Sequence, residues 1–431
     1  MKKKLRKKYN NMKLKQAIGL DRKDNLKKYK SHFINSKKEI YLNGNSLGKL
    51  PIKSINKIRK TIDYEWGDRL VRSWNEKWLD LSENLEKKLS TILGATKREI
   101  KIGDSTSINL YQIVFSLLKS NLYEKNLISD SFNFPSDNYI LEGISSNFNI
   151  KKPIIINYSQ SISAEVNLIE KTIKKSPGIL CLSLVSYKSG WMYPMKELND
   201  YAKKNNSIIV WDLSHAVGAT HIDLKKTNTL AAVGCSYKFL NGGPGAPGFL
   251  FVDNSIQNKL ENPIKGWFGH KLPFIFSDKY EAANNINKFD IGTPGILSMV
   301  AMEAGIDIII KATTKSIRKK SISQSEYFIS LINQELDSYN VKIESPRDPL
   351  NRGSHVTISH SESWKICRAL AKGSKKFPKI ICDYRPDKYI RFGISPLYTS
   401  FQDLYHTIIA LIEILKTESY KKIKKEKTKV T

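Results

Sequence analysis

Short apolar runs recur along the middle of the chain, separated by mixed polar segments. Their content of Val, Ile, Leu and aromatic residues predicts buried strands. The predicted strands are Pro153–Asn157, Ile179–Val185, Ser207–Trp211, Ala231–Ser236 and Gly248–Val252. Because strands that alternate with helical segments form βαβ units, this region predicts a mostly parallel sheet.

Apolar residues three or four positions apart predict helices on both sides of that region. The predicted helices are Ser54–Trp66, Trp78–Leu93, Ile108–Leu118, Ile296–Lys311, Ser321–Leu336 and Phe401–Leu415. Further strands are predicted near His355–Ile358, Ile380–Asp383 and Tyr389–Ile394. The predicted fold class is α/β, with a mostly parallel central sheet in a large domain and a smaller α+β domain at the C-terminal end.

The predicted domain boundaries follow changes in composition. Residues 1–30 form a basic arm, residues 31–305 the large domain, residues 306–416 the small domain and residues 417–431 a lysine-rich tail. The N-terminal part of the large domain is also compatible with packing on the small domain. Both lysine-rich ends are expected to be solvated and frayed.

The formal net charge of +30 raises the hypothesis of nucleic-acid binding. However, the excess of lysine is spread along the whole chain, which is typical of a compositional bias, and no specific nucleic-acid partner is expected. With 431 residues, 40% of them hydrophobic, the chain can bury a large core.

Targeting and cysteine signals favour a cytoplasmic protein. No apolar run approaches the roughly 20 residues that span a bilayer, and the start MKKKLRKKYNNMKLKQ has no apolar centre, so neither a membrane span nor a secretory signal is expected. Cys181, Cys235, Cys367 and Cys382 are scattered without metal-ligand spacing, which predicts free thiols and no metal site.

Two of the predicted parallel strands end in residues with complementary chemistry. The run that ends at Trp211 is followed by Asp212, and the next run is followed by Tyr237, Lys238 and the loop NGGPGAPG. Because carboxyl ends of parallel strands meet at one edge of a sheet, Asp212 and Lys238 are expected to lie close together. Pyridoxal phosphate needs such a pair, a lysine to attach to and an aspartate to keep its ring nitrogen protonated.

Ordinary structural roles also explain each of these residues separately. An aspartate at a strand end is often a turn former, and a lysine there is often solvated. Four glycines and two prolines after Lys238 specify an unusual backbone path, which favours the cofactor interpretation. Upstream, Gly103-Asp104-Ser105-Thr106-Ser107 precedes a predicted helix, an arrangement that suits a phosphate but also a plain helix cap.

Eight segments together resemble the kynureninase family, in matching order over nearly all of residues 40–415. They are YLNGNSLG, GDSTSINLY, SFNFPSDNY, WDLSHAVGA, GCSYKFLNGGPGAPGF, KGWFGH, FDIGTPGILSM and IRFGISPLYTSFQD. The resemblance implies the pyridoxal-phosphate-dependent transferase-like fold of the aspartate-aminotransferase type and a homodimer with shared active sites. It also implies hydrolysis of L-kynurenine, or its 3-hydroxy form, to anthranilate, or its 3-hydroxy form, and L-alanine.

The resemblance also implies roles for individual residues. Lys238, Tyr237 and Asp212 would be catalytic, with Lys238 attached to the cofactor and moving protons, Asp212 on the ring nitrogen and Tyr237 near the ketone. Other predicted cofactor contacts are Thr106, Ser107, Phe134, Pro135, Ser136, Asp137, Ser183, His215, Thr293 and, from the neighbouring subunit, Trp267. Substrate binding is assigned to Arg391, as a clamp on the carboxylate, and to Trp66 and Asn45.

The chain departs from the family pattern at two positions and leaves other enzymes open as alternatives. Pro194 stands where the family commonly has Asp, and Gly295 stands where a second Pro is usual, which puts substrate fit in question. Gly292-Thr293 resembles the bacterial members and favours unsubstituted kynurenine. The alternatives are another enzyme of the same fold, such as a cysteine desulfurase or an aminotransferase, and a basic nucleic-acid-binding protein on an inactive scaffold.

Overall fold

The computed structural model describes residues 2–36, 38–159 and 162–424, and among residues 2–11 it describes the backbone only. Residue 1 of the predicted arm and residues 425–431 of the predicted tail therefore lie outside the described residues.

The α-helices are α1 (Lys2–Arg22), α2 (Ile52–Lys60), α3 (Leu79–Leu93), α4 (Thr106–Lys119), α5 (Pro135–Asn147), α6 (Val166–Lys175), α7 (Met195–Lys204), α8 (Asn254–Gln257), α9 (Ile296–Ala312), α10 (Thr314–Glu335), α11 (Ser363–Lys372) and α12 (Phe401–Lys416). Two π-helical segments follow α2, Thr61–Arg69 and Trp74–Trp78. Short 3-10 turns are Lys27–His32, Leu70–Arg72, Lys97–Glu99, Trp267–Gly269, Pro273–Ile275, Ile286–Phe289, Asp337–Tyr339, Pro349–Asn351 and Ser419–Lys422.

The strands are β1 (Glu39–Tyr41), β2 (Ile100–Ile102), β3 (Leu127–Asp130), β4 (Ile154–Ile156), β5 (Ile179–Ser183), β6 (Ile208–Asp212), β7 (Ala231–Cys235), β8 (Gly248–Val252), β9 (Lys342–Ile343), β10 (His355–Ser359), β11 (Lys379–Ile381), β12 (Asp383–Arg385) and β13 (Tyr389–Gly393). The patterns predicted α3, α4, α9, α12 and β5 to β8 to within a few residues. The predicted start of the helix at Ser321 is wrong, because α10 begins at Thr314, two residues after the end of α9.

The central sheet is mixed, with the order β2-β8-β7-β6-β5-β3-β4. Strands β3 to β7 pair in parallel, whereas β8 runs antiparallel to β7 and β2 runs antiparallel to β8. A parallel return needs a long crossover connection, and the loop between β7 and β8 contains no helix, so β8 comes back antiparallel. Helices cover both faces of this sheet, so its strands are buried except for the edge strand β4, where Ile154 and Ile155 are exposed.

The parallel pairing of β6 and β7 confirms the arrangement predicted for the chemistry-bearing strands. Asp212 lies opposite Val233 in the register, so Asp212 and the residues that follow β7 emerge at the same edge of the sheet. Helix α3 ends, as its pattern predicts, at Gly94, whose φ of 62° is a left-handed conformation that favours glycine.

A second, antiparallel sheet with the order β12-β13-β10-β9 forms the small domain together with α10, α11 and α12. The prediction of Ile380–Asp383 as a single strand is wrong. One strand ends at Ile381, Cys382 belongs to neither strand, and Asp383 starts a strand in a different sheet. The two flanking strands are β11, which pairs in parallel with β1, and β12, which pairs with β13. The N-terminal segment of the chain is thereby joined to the small domain.

The predicted boundary between residues 305 and 306 falls inside α9, which continues to Ala312. The helix is continuous there because its apolar residues pack against the large-domain core over its whole length. The backbone changes direction only at Thr313, whose φ is 62°, and α10 begins at the next residue.

The expectation that the basic ends are solvated and frayed is wrong for much of their described length. Leu14, Ala17 and Leu20 follow one another at a spacing of three and pack into the small-domain core. The carboxylate of Asp21 accepts hydrogen bonds from the backbone N–H groups of Phe401 at 2.8 Å and Gln402 at 3.1 Å, at the start of α12. Near the C-terminal end, Tyr420 is buried in the same core. Apolar residues between the lysines thus anchor both ends.

Candidate active site

A cavity of about 930 Å³ opens at the carboxyl ends of β6 and β7. Its lining brings together Thr106, Ser107, Phe134, Ser136, Asp137, Asp212, Tyr237, Lys238 and Thr293, all of which were predicted as site residues. Ligands of open α/β folds bind at this edge of the sheet, so the cavity is the natural candidate for an active site.

Two helix N-termini meet at one end of this cavity. Helix α4 begins at Thr106 after the cap Ser105, whose Oγ accepts from the N–H of Ile108 at 3.3 Å. Helix α5 begins at Pro135, and the hydroxyl oxygens of Ser107 and Ser136 lie 3.1 Å apart across the gap. Free backbone N–H groups and the positive ends of two helix dipoles favour an anion at this position. The arrangement suits a phosphate group.

Lys238 also lines the cavity, and its amine contacts a buried histidine. Its Nζ is 3.0 Å from Nε2 of His215 and 6.0 Å from the ring centroid of Phe134. Burial and the charge of Lys238 lower the pKa of His215 well below its ordinary value. The imidazole is therefore neutral, and its Nε2 can accept a hydrogen bond from Lys238. The loop around Lys238 also needs Gly48, because a Cβ there would lie 2.3 Å from the Lys238 carbonyl oxygen.

Asp212 and Asp137 are two buried carboxyl groups of the same cavity. Burial raises the pKa of Asp212, although the charge of Lys238 and the hydrogen bond from the N–H of Ser214 at 2.8 Å oppose that shift. Burial and the charge of Asp212 raise the pKa of Asp137 well above its ordinary value. Two neighbouring carboxylates avoid ionising together, so Asp137 is the one that keeps its proton.

Aromatic groups form a wall beside Lys238. Phe134 precedes α5 with 43% of its surface exposed, and its ring meets that of Tyr187 at 5.3 Å in an edge-to-face contact. The ring of Tyr237 lies 5.6 Å from Lys238 Nζ. Burial and Cys235 raise the pKa of Tyr237, so its phenol keeps its proton at neutral pH.

Other predicted site residues lie outside the lining of the cavity. The hydroxyl of Ser183 donates to the side chain of Asn133, next to Asp212 in the sheet. Pro135 is the first residue of α5. Trp66 and Trp267 are 56% and 40% exposed, respectively. Asn45 is fully buried, and neither of its amide atoms has a hydrogen-bond partner among the described residues.

Arg391 is also absent from the lining, and it is held by the protein. Its side chain is 1% exposed. Nε donates to Asp383 at 2.7 Å, and Nη2 donates to the same carboxylate and lies 3.2 Å from Ser46 Oγ. Nη1 donates to the carbonyl of Tyr187 at 2.5 Å. The structural role of an ion-pair partner is therefore observed, and the clamp on a substrate carboxylate stays a prediction.

Sequence reasoning missed the residues that surround Arg391. Asp383 directly follows an apolar run, as Asp212 does, and that position was the available signal. Ser46 belongs to the motif YLNGNSLG, yet only Asn45 was selected from it. No sequence pattern distinguished Tyr187 from the other aromatic residues of the chain. Its contact with Arg391 depends on how the two domains meet.

The two departures from the family pattern occupy helix starts. Pro194 is the N-cap residue of α7 and makes no side-chain cap, where an aspartate could have accepted a backbone N–H. Gly295 is the N-cap residue of α9, lines the cavity, and accepts a hydrogen bond from the Ser298 hydroxyl at 2.8 Å.

The four cysteines are all buried and free. Cys235 lines the cavity and burial raises the pKa of its thiol, and the Sγ atoms of Cys367 and Cys382 lie 3.7 Å apart inside the small domain. A desulfurase needs a mobile, accessible cysteine, which none of these provides. Within the described ranges, no group of three or more His, Cys, Asp or Glu side chains could hold a metal ion, and no helix is long and apolar enough to cross a membrane.

Sequence comparisons relate the chain to one family. A family model described as the kynureninase C-terminal domain matches residues 317–411. The chain is 33% identical over 409 residues to a kynureninase of Pseudomonas fluorescens, with 94% of this chain and 96% of that protein covered. It is 32% identical over 412 residues to a kynureninase of Burkholderia pseudomallei, with the same coverage.

Solved structures share the fold at much lower identity. An apo cysteine desulfurase from Thermococcus onnurineus NA1 superposes with a TM-score of 0.73 at 16% identity, over 88% of this chain and 95% of that chain. A variant of C-DES with glycine covalently linked to its pyridoxal-phosphate cofactor gives a TM-score of 0.77 at 14% identity, over 89% of this chain and 99% of that chain. At these identities the likeness shows the fold alone.

Proposed function

The chain belongs to the kynureninase family, and from that premise we propose that it hydrolyses L-kynurenine to anthranilate and L-alanine. The cofactor is pyridoxal phosphate, as in the family. The observation that carries the proposal is the convergence of Lys238, Asp212 and two helix N-termini on one cavity. The desulfurase, aminotransferase and nucleic-acid alternatives are not favoured.

The residues of the cavity fit pyridoxal phosphate. The hydroxyls of Ser107 and Ser136 and the start of α4 would hold the phosphate, and Phe134 would cover one face of the ring. The buried Oδ2 of Asp137 has no hydrogen-bond partner among the described residues, which leaves a polar atom for a ligand to satisfy. When bound, the cofactor supplies an electron sink for the bond that breaks.

Lys238 and Asp212 would divide the acid–base work. The amine of Lys238 would hold the cofactor covalently, and after its release would carry protons to and from the substrate α-carbon. Asp212 would keep a proton on the ring nitrogen, because an ionised carboxylate beside a cationic ring is stabilised in the buried site. Asp137, kept neutral, would donate a hydrogen bond without adding a second negative charge.

Hydrolysis also needs a water molecule at the ketone and a proton near its oxygen. Tyr237 would supply that proton, since its raised pKa keeps the phenol protonated at neutral pH. Arg391 and Asn45 would bind the amino-acid end of the substrate, and Trp66 would form part of the wall around the aryl ring. Thr293 and the neighbouring Gly292 favour unsubstituted kynurenine over the 3-hydroxy form.

A homodimer would complete the site. Trp267 stacks near Phe276, with ring centroids 6.0 Å apart, and Phe274 and Phe276 are 54% and 75% exposed. Such an exposed aromatic cluster is typical of an interface, and we infer that it packs on a second copy, with Trp267 reaching the partner's phosphate. Mixing the inactive variants Lys238→Ala and Trp267→Ala should then restore activity in mixed dimers, and no recovery would contradict the shared site.

We also propose a cytoplasmic location, because four free buried thiols suit a reducing compartment.

The central test is a spectrum and an assay on the purified protein. We expect a yellow protein that releases fluorescent anthranilate from L-kynurenine, and slower turnover of 3-hydroxykynurenine. A protein that stays colourless after incubation with excess cofactor, or a yellow protein that leaves kynurenine intact, would overturn the proposal. Release of sulfide from L-cysteine would instead indicate a desulfurase.

A further inference from the structure

Asp383 is a buried carboxylate that gathers donors from three separate segments. It accepts hydrogen bonds from Ser46 Oγ at 2.6 Å, from Arg385 Nη2 at 3.0 Å, and from both Nε and Nη2 of Arg391. Ser46 belongs to the N-terminal loop, Arg385 to β12 and Arg391 to β13. One carboxylate therefore ties the N-terminal loop to the small-domain sheet.

The pairing of Asp383 with Arg391 uses one particular edge of the guanidinium. A planar guanidinium offers a side edge, made of Nε and one terminal nitrogen, and an end edge, made of the two terminal nitrogens. Asp383 occupies the side edge. Among the described residues, the end edge contacts only neutral oxygens, the carbonyl of Tyr187 at Nη1 and the hydroxyl of Ser46 at Nη2.

The charges around Asp383 leave the region positive. Burial would raise the pKa of Asp383, but the hydrogen bonds and charge of Arg391, together with the charge of Arg385, lower it below its ordinary value. Asp383 is therefore ionised at neutral pH. Because two arginines share this one aspartate, the group keeps an excess positive charge that suits a further carboxylate.

A short series of contacts connects this group to the cavity. The Tyr187 carbonyl bonds to Arg391, and the ring of Tyr187 lies against that of Phe134, which lines the cavity and is near Lys238. Through the carbonyl of Tyr187, the end edge of Arg391 therefore contacts a residue that packs against the wall of the cavity.

We propose that Asp383 is a positioning residue for substrate recognition. It holds the side edge of the Arg391 guanidinium, so that the end edge has a fixed position. The substrate α-carboxylate would bind this end edge and replace the Tyr187 carbonyl at Nη1. This inference rests on the proposed function, in particular on the role of Arg391. Fixed donors lose little conformational freedom when a ligand binds, which is the physical benefit of the arrangement.

The test compares binding of L-alanine with that of L-alaninamide, which has no α-carboxylate, to the holoenzyme by calorimetry. In the wild-type protein we expect tighter binding of L-alanine. In Asp383→Asn the Kd for L-alanine should rise about tenfold while that for L-alaninamide stays within about twofold. Asp387→Asn removes the same charge from an exposed position in the β12–β13 turn and should leave the ratio of the two Kd values unchanged.

The possible results separate positioning from other roles. If Asp383 were only a counter-charge for Arg391, its neutralisation would tighten L-alanine binding, and that result would overturn the inference. A ratio of the two Kd values equal to that of the wild-type protein would also overturn it. A wild-type protein that does not distinguish the two ligands would instead overturn the assignment of Arg391 in the proposed function. If Asp383→Asn does not fold, Asp383→Glu replaces it in the test, because it keeps the charge and the ion pair. Its longer side chain should still reduce the preference for L-alanine over L-alaninamide.

Discussion

The cavity around Lys238 and the guanidinium of Arg391 differ in how their hydrogen bonds are satisfied. Around Lys238 the protein leaves a cavity of about 930 Å³, and buried atoms such as Asp137 Oδ2 and His215 Nδ1 have no hydrogen-bond partner in the described part of the chain. Around Arg391 the protein satisfies its own charge, with Asp383, Ser46 and the Tyr187 carbonyl as partners. The cavity around Lys238 can therefore accept a ligand directly, whereas Arg391 must exchange one of its hydrogen-bond partners to bind a ligand.

This difference has an energetic consequence. A buried polar atom without a partner costs about 1–3 kcal/mol, so a cofactor that supplies partners at the large-domain end stabilises the folded protein. At the small-domain end, a substrate carboxylate gains only the difference between its own hydrogen bonds and those it displaces. Cofactor binding should therefore be tight, and substrate binding weaker and reversible.

The largest expected effect is at the covalent centre of the cavity. Lys238→Ala removes the amine that holds the cofactor and moves protons, so anthranilate production should fall by about 10⁴-fold or more. The absorption of the attached cofactor should also change, which a visible spectrum measures. Lys171→Ala, on the exposed side of α6, is the matched control. A Lys238→Ala protein with wild-type activity would contradict the assignment of the cavity as the active site.

The two carboxyl groups of the cavity should respond unequally to the same change. Asp212→Asn removes the negative charge that would stabilise the protonated ring nitrogen of the cofactor, and kcat should fall by about 10²–10³-fold. Asp137→Asn replaces a group that is already neutral, because burial and Asp212 raise its pKa, so kcat should change by less than about fivefold. Steady-state kinetics at pH 7.5 would check both. Equal losses would show that the assigned protonation states are wrong.

Arg391→Ala tests the other end of the comparison. Loss of charge-assisted hydrogen bonds to a carboxylate costs about 1.5–3 kcal/mol, so KM for kynurenine should rise by about 10–100-fold while the cofactor spectrum is unchanged. Arg22→Ala, on an exposed position of α1, is the control. An unaltered KM would mean that Arg391 is purely structural, as its pairing with Asp383 also allows.

The smallest expected effect is a pH dependence of stability near Arg391. Burial and the charge of Arg391 lower the pKa of His355 to about 3, so the folded protein keeps this ring neutral. The unfolded chain binds a proton near pH 6.5, and stability is therefore lost as the pH falls below that value. Between pH 7.5 and 5.5 this histidine should account for about 1.4 kcal/mol of that loss.

Urea unfolding of His355→Gln at the two pH values would measure this contribution. The variant should lose less stability than the wild-type protein on acidification, by about that amount. His406→Gln, at an exposed position of α12, is the matched control. An identical pH dependence in His355→Gln and wild type would contradict the neutral, buried state.

Elements with a strong apolar pattern could be predicted from the sequence, including the three-residue strand β4, whereas elements with a weak pattern could not. Helices α3 and α9 and strands β5 to β8 were predicted because their apolar runs or periodicities are long. Strands β2 and β3, with three and four residues, were missed because so short a run carries little signal. The helix α1 was missed because its lysines concealed the apolar spacing of Leu14, Ala17 and Leu20.

The sequence by itself determined the cofactor end of the site. Asp212 ends a strand, Lys238 follows a strand, and Ser107 and Ser136 are the second residues of α4 and α5. The geometry of parallel strands and helix N-termini then fixes where they meet. Eight ordered motifs added the family. These features are local, so one chain is enough to read them.

Only the tertiary structure decided the environment of Arg391. Its partners Asp383, Ser46 and Tyr187 come from segments as far apart as residues 46 and 391, and they meet because β1 pairs with β11 while β12 pairs with β13. An ion pair of this kind depends on which strand ends become neighbours. It also depends on burial, which strengthens the electrostatic interaction between the two charges. No local pattern in the chain encodes either quantity.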